Sequence, residues 1–257
     1  GQTLIYQHNG LFLHLVDNLI NKIDVFGLQF ASIDIRQDSS IHKKVFEALE
    51  KAGNILPERY TRLPDEKKIE FLTANNTPIT EIDFEDPVIK DTFESIQAIK
   101  TIQEYNGEPG CNRYIISHSS NALHVLEVYG LFILSGWEKE DMHVDIVPLI
   151  ETIQDLKNAV SIVKVLYENE EYRKHLKRRN NSQTIMLGFS DGTKDDGYIM
   201  GNWSIYKSKE EITAISKEYG IDVVFFDGRG GPPARGGGKT HKFYASMGKN
   251  IANKEIQ

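Results

Sequence analysis

The chain has 257 residues, of which 40% are hydrophobic and 26% charged, the composition of a globular protein able to bury a core. A formal net charge of -7 excludes a general nucleic-acid or membrane-surface role, and the single Cys111 excludes an internal disulfide framework and fits a reducing compartment. No apolar stretch approaches membrane-spanning length and no secretory signal opens the chain, so the expected location is cytoplasmic.

In chain order, Phe26 to Ile35 alternates as a strand and runs into Asp34-Ile35-Arg36-Gln37-Asp38, with Arg36 directly after it. The segment 55–87 is polar, carries Pro57, Pro64, Pro78 and Pro87, and reads as an excursion with one helix near Asp65 to Leu72. Arg113 to Ser117 is a second strand, followed by His118; Ser119 or Ser120 can cap a helix running through Ala122, Leu123, Val125, Leu126 and Tyr129. His143 to Ile150 is a third strand ending in Glu151, and Thr152 with Asp155 resembles a capping box before Leu156, Ala159, Val160 and Val163. Arg173 to Arg179 reads as a solvated helix C-terminus. Thr184 to Phe189 is a fourth strand, ending in Ser190-Asp191-Gly192. Ile221 to Phe226 is a fifth, ending in Asp227 and a loop that holds six glycines, Arg229, Arg235 and Lys239.

Strands that alternate with helices imply parallel βα units. The expected fold is α/β: a partial TIM-like (β/α) barrel with additional helices, incomplete because only about five of eight strands can be counted. The start at Gly1 and the end at Gln257 without a helix stop add the expectation that residues 1–257 form one piece of a longer polypeptide. In such folds the carboxyl ends of the strands converge on one face. Each strand here ends in charged or hydroxyl side chains: Arg36, His118, Glu151, then Asp191 and Lys194, then Arg229 and Arg235. A catalytic mouth is expected there.

Glu151 and Asp191, at the ends of neighbouring strands, can share a hard divalent cation such as Mg²⁺ or Mn²⁺. Taken singly, Glu151 can instead start a helix and Asp191 can make a turn. Glycines such as Gly230 and Gly231 let backbone N–H groups approach an anion, and Arg229 and Arg235 add planar cationic forks for phosphate or carboxylate. Lys194 can neutralise a phosphoryl group or an enolate oxygen, and Arg36 can bind an anion or pair with Asp34 or Asp38. His118, His124 and His241 read as structural or surface residues, because the eight histidines lack a zinc spacing. Gly238-Lys239-Thr240 ends like a P-loop, but the glycine required five positions earlier is Pro233, which has no N–H to donate. Nucleotide hydrolysis and a non-catalytic anion- or metal-binding module are the alternatives to a catalytic site.

Phe226-Asp227-Gly228-Arg229-Gly230-Gly231 with Ala234-Arg235-Gly236-Gly237-Gly238 resembles phosphoenolpyruvate carboxylase, as does Ile185 through Ser190-Asp191-Gly192-Thr193-Lys194-Asp195-Asp196-Gly197. Leu149 to Leu156 and Asp34 to Ser39 resemble further segments of that family in the same order, so the resemblance spans nearly the whole chain. It implies a central fragment of the bacterial-type enzyme, a cytoplasmic homotetramer at full length with a βα barrel, and a fragment that does not complete the reaction alone. It also implies the conversion of phosphoenolpyruvate and bicarbonate to oxaloacetate and phosphate, a lyase reaction that feeds the tricarboxylic acid cycle. Glu151 and Asp191 would hold Mg²⁺ or Mn²⁺, Arg36 and Arg229 the phosphoryl oxygens, Lys194 would stabilise charge near the metal, and Arg235 would serve substrate binding with a link to feedback inhibitors. The sequence departs from the family's usual His at 227, Ser at 192 and Gly at 234; an acid at 227 sets negative charge beside an expected anion site.

Overall fold

The computed structural model describes residues 2–27, 30–53, 55–79, 84–188, 197–228 and 239–255. Five strands, β1 (Asp34–Asp38), β2 (Arg113–Ser117), β3 (Asp145–Ile150), β4 (Ser182–Gly188) and β5 (Asp222–Gly228), form one sheet. Every neighbouring pair is parallel, and the spatial order is the chain order, β1-β2-β3-β4-β5. Consecutive order is what repeated right-handed βα units produce when each new strand is added on the same side. A doubly wound sheet would reverse direction at a switch point, and none occurs among the described strands. The arrangement is compatible with an arc of a (β/α) barrel.

Ten helices accompany the strands among the described residues: α1 (Gln2–Gln7), α2 (Leu13–Phe26), α3 (Ser39–Ala52), α4 (Asp65–Ala74), α5 (Pro87–Asn106), α6 (Ala122–Leu134), α7 (Ile153–Glu168), α8 (Glu170–Arg178), α9 (Tyr198–Glu218) and α10 (Thr240–Ala245). Period-2 alternation divides the strands between two faces. Tyr114, Ile116, Ile146, Ile150, Ile185, Leu187 and Phe225 join the main core beneath the helices. Ile115, Val147 and Leu149, with Met186 and Phe226, form a second, smaller apolar cluster on the opposite face. Helix α6 is buried at every residue but His124, as expected of a helix apolar all round. A Cβ at Gly130 would lie 2.5 Å from Leu72 Cδ2, so α4 rests directly on α6.

Local chemistry explains most boundaries. Thr152 Oγ1 accepts the Asp155 N–H at 3.1 Å and donates to Asp155 Oδ2 at 2.6 Å, the capping box read from the sequence. Helix α6 is capped by Asn121 rather than by Ser119 or Ser120; Asn121 Oδ1 accepts the His124 N–H at 3.0 Å. The first strand covers Asp34–Asp38 rather than Phe26 to Ile35, because Phe26 closes the amphipathic helix α2 and β1 takes its register from Arg113–Ser117. Arg36 therefore stands within the strand. The expected solvated end of α8 is also different: His175 is buried, and Arg179 Nε donates to Asp145 Oδ1 at 2.6 Å while its guanidinium also meets Glu108.

Candidate functional site

Parallel register sorts the second face into rows. Arg36 stands opposite Ile115, and Ile115 opposite Val147, in an apolar row; one step on, Asp38 faces Ser117, and Leu149 pairs with Met186, which pairs with Phe226. One step further, at the carboxyl ends, Gly188 faces Gly228, and Glu151 lies beside Gly188. A Cβ on Gly188 would stand 3.1 Å from Glu151 Cγ and 3.3 Å from its Cα. Two neighbouring strands thus lack side chains where β3 presents its carboxylate. A Cβ on Gly228 would likewise stand 3.0 Å from Met186 Cε and from the Leu187 carbonyl oxygen, so neighbouring atoms approach both glycines closely.

Glu151 is buried, with 10% of its side chain exposed. It precedes the cap of α7 and turns its carboxylate across the sheet: Oε2 accepts the His118 N–H at 2.9 Å, and Oε1 lies 3.7 Å from the Arg36 guanidinium. The helix-start reading of Glu151 therefore falls away, since Thr152 does the capping. Arg36 reaches Glu151 and Ser117, donating from Nε to Ser117 Oγ at 2.9 Å, in place of the surface pairing with Asp34 or Asp38. Asp34 instead meets Arg113 at 3.4 Å. Half of the Arg36 side chain remains exposed, so its fork faces the open side.

His118, named from the sequence as a strand-end residue and read as structural or surface, has 66% of its side chain exposed and joins the contacts of Asp38 and Glu151. Its φ of 51° is rare for a residue with a Cβ. Nδ1 lies 2.6 Å from Asp38 Oδ2 and 3.8 Å from Glu151 Oε2. An ionised carboxylate only accepts, so the ring donates from Nδ1 to Asp38. Asp38 also caps α3 by accepting the Ser40 N–H at 2.9 Å. Burial works against its charge, but the Ser40 hydrogen bonds and the His118 ring outweigh it and hold the carboxyl below its ordinary range. The only sequence signal for this role was position: His118 directly follows a strand, as Glu151 does.

The remaining expected site residues, Asp191, Lys194, Arg229, Gly230, Gly231 and Arg235, lie outside the described residues. Glu151 supplies one hard oxygen donor suited to a divalent cation. Among the described residues no cluster of three metal-ligating side chains occurs. A cavity of about 540 Å³ opens at the opposite, amino ends of the strands, beside Asp145, Arg179, Asp222 and Lys254. That end of a parallel βα fold ordinarily serves stability rather than chemistry. Among the described residues no helix is long and apolar enough to cross a membrane.

Comparison with known proteins shows the family. The family model described as Phosphoenolpyruvate carboxylase matches residues 2–252. The Phosphoenolpyruvate carboxylase of Nitrosomonas eutropha (strain DSM 101675 / C91 / Nm57) is 31% identical over 260 residues, which covers 98% of this chain and 28% of that relative. The chain therefore spans well under a third of the length of the curated relative it matches. The ordered strand-end motifs, the consecutive parallel sheet and a family match across nearly all of its residues place this chain in the phosphoenolpyruvate carboxylase family.

Proposed function

We propose that this chain forms the metal- and phosphoenolpyruvate-binding part of a carboxylase active site, within a polypeptide that folds a complete (β/α) barrel. The observation that carries the reading is the meeting of Glu151 and Arg36, from β3 and β1 across β2, in front of two side-chain-free strand ends. Glu151 and Asp191 hold the divalent cation, Mg²⁺ or Mn²⁺, which when bound supplies Lewis-acid charge for the substrate's phosphate and carboxylate oxygens. Arg36 and Arg229 bind the phosphoryl group, and Arg235 with the N–H groups of Gly230 and Gly231 completes the anion site. Lys194 stabilises the negative charge that develops on the enolate oxygen.

The reaction so assigned begins with attack of a bicarbonate oxygen on phosphorus. The bond from phosphorus to the enol oxygen breaks, giving carboxyphosphate and an enolate. Carboxyphosphate then releases carbon dioxide and phosphate, and the enolate carbon captures carbon dioxide to form oxaloacetate, an entry point to the tricarboxylic acid cycle. Arg36 contributes by orienting the phosphoryl group in line for attack, with its own position fixed by Ser117 and Glu151. We assign the complete enzyme to the cytoplasm as a homotetramer, with the isolated 257-residue chain inactive. In the full-length polypeptide, Arg229→Ala and Asp191→Ala are each expected to abolish bicarbonate-dependent oxaloacetate formation, measured by coupled reduction to malate. Turnover retained in both variants would defeat the assignment.

A further inference from the structure

Glu151 owes its orientation to a residue in an unusual backbone conformation. His118 directly follows β2 with a φ of 51°, and a residue with a Cβ persists in the left-handed region only where its surroundings hold it there. The holding contacts come from both neighbouring strand ends. On the β1 side, Asp38 Oδ2 accepts from His118 Nδ1 at 2.6 Å, and the buried Ser39 hydroxyl donates to the His118 carbonyl oxygen at 2.9 Å. On the β3 side, the next N–H, that of Ser119, donates to the Leu149 carbonyl oxygen at 3.2 Å. Held in this way, the His118 N–H donates to Glu151 Oε2 at 2.9 Å.

Asp38 and Glu151 are both carboxylates and have no donor to offer each other, so the coupling between them runs through His118. Asp38 Oδ1 accepts the Ser40 N–H at 2.9 Å and caps α3, a task that needs one oxygen and that Ser or Asn performs as well. The second oxygen of Asp38 goes to the His118 ring. At the far end of the chain of contacts, the two oxygens of Glu151 are told apart: Oε2 meets the His118 N–H, and Oε1 lies 3.7 Å from the Arg36 guanidinium. Each oxygen retains a lone pair for a cation, and the partners of a ligating carboxylate set the direction in which it is offered.

We infer that Asp38 is a positioning residue for Glu151: through the His118 ring it fixes the left-handed turn whose N–H orients the Glu151 carboxylate, and so raises the affinity of that carboxylate for a divalent cation. The inference rests on the reading of Glu151 as a cation ligand proposed above. Asp38 itself is assigned no contact with cation or substrate.

The test uses the full-length polypeptide with Mn²⁺ alone, free Mn²⁺ being measured by electron paramagnetic resonance, together with thermal unfolding and a crystal structure of the variant. Asp38→Ser keeps a side-chain oxygen for the cap of α3 and loses the oxygen that meets the His118 ring. It should weaken Mn²⁺ binding about tenfold with an unfolding midpoint close to the wild type, and show the Glu151 carboxylate turned away from the His118 N–H. In a Glu151→Gln background the same change should have no further effect on Mn²⁺ binding, because its route to the cation is already gone. Wild-type Mn²⁺ affinity in Asp38→Ser, an equal loss in both backgrounds, a loss that accompanies a lowered unfolding midpoint, or a Glu151 carboxylate still on the His118 N–H would overturn the inference. If Glu151→Gln alone binds Mn²⁺ as the wild type does, the cation role of Glu151 falls instead, and the crystal structure of Asp38→Ser still decides whether Asp38 orients it.

Discussion

Asp227 shows how strand alternation decides what a charge can do. From sequence its carboxylate is an unwelcome negative charge beside an anion site; in the fold it points to the helix side and meets Lys209, which is 18 residues earlier in the chain. Removing one partner leaves the other buried and unpaired, so Lys209→Met alone should cost about 3–5 kcal/mol, read from urea unfolding. Gly188 makes the complementary point on the other face. A Cβ there would stand 3.3 Å from the Glu151 Cα, so the backbone at Glu151 would have to give by a few tenths of an ångström. Gly188→Ala is expected to push β3 and β4 apart at the carboxylate, lowering turnover of the full-length enzyme by about 10²-fold while costing only about 1–3 kcal/mol of stability. Wild-type turnover in that variant would show that the Glu151 position tolerates displacement. The position of His118 at a strand end was legible from sequence, whereas its contacts with Asp38 and Glu151 were not, because they depend on a left-handed backbone that no residue type announces.

At the scale of elements, the buried helices carry titratable groups whose pH dependence has opposite signs. Burial pushes the Glu127 carboxyl on α6 from 4.5 up to about 7, with Lys68 pulling partly the other way. The folded chain then holds that proton more tightly than the unfolded chain, so this contribution is full below pH 4.5 and lost as pH rises through about 7. Burial, reinforced by nearby His124 for His42 and by Arg178 and Arg179 for His175, drives both imidazoles from 6.5 down to about 3. Those two favour the unfolded chain once it protonates, so their contribution is lost as pH falls from 6.5 toward about 3. Glu127→Gln removes only the first effect. Its urea midpoint should exceed that of the wild type at about pH 8 and match it near pH 4.5; a difference that does not change with pH would contradict the assignment. Four of the five strands were legible within about two residues, because runs such as Arg113 to Ser117 are short, apolar and bounded by polar signals. Strand β1 was not. Its residues Asp34, Arg36 and Asp38 are charged, and only pairing with Arg113–Ser117 makes them a strand. Helix α2 carries a readable stripe, Leu15, Leu19, Ile20, Ile23 and Phe26, that the strand reading from Phe26 obscured.

For the whole molecule, that stripe has a consequence. No residue of α2 is buried, and Leu15, Leu19 and Ile23 are each at least half exposed, a larger apolar surface than isolated soluble chains ordinarily present. The 257-residue chain alone is expected to self-associate, with Leu19→Glu shifting it toward monomer in sedimentation velocity; a monomeric wild type at high micromolar concentration would contradict this. The order of the strand-end motifs was legible from sequence because parallel βα repetition sends successive strand ends to one face whatever the intervening helices do. How those ends connect was not legible: the Arg36–Ser117–Glu151 contacts cross three strands and follow from register alone. In the function proposed here, Glu151 is an active-site carboxylate rather than a structural one. Its most direct test is bicarbonate- and Mn²⁺-dependent oxaloacetate formation by the full-length enzyme carrying Glu151→Gln, which preserves side-chain size and removes the charge. A folded protein with no measurable turnover is expected; turnover at the wild-type rate would mean that the Glu151 carboxylate is structural.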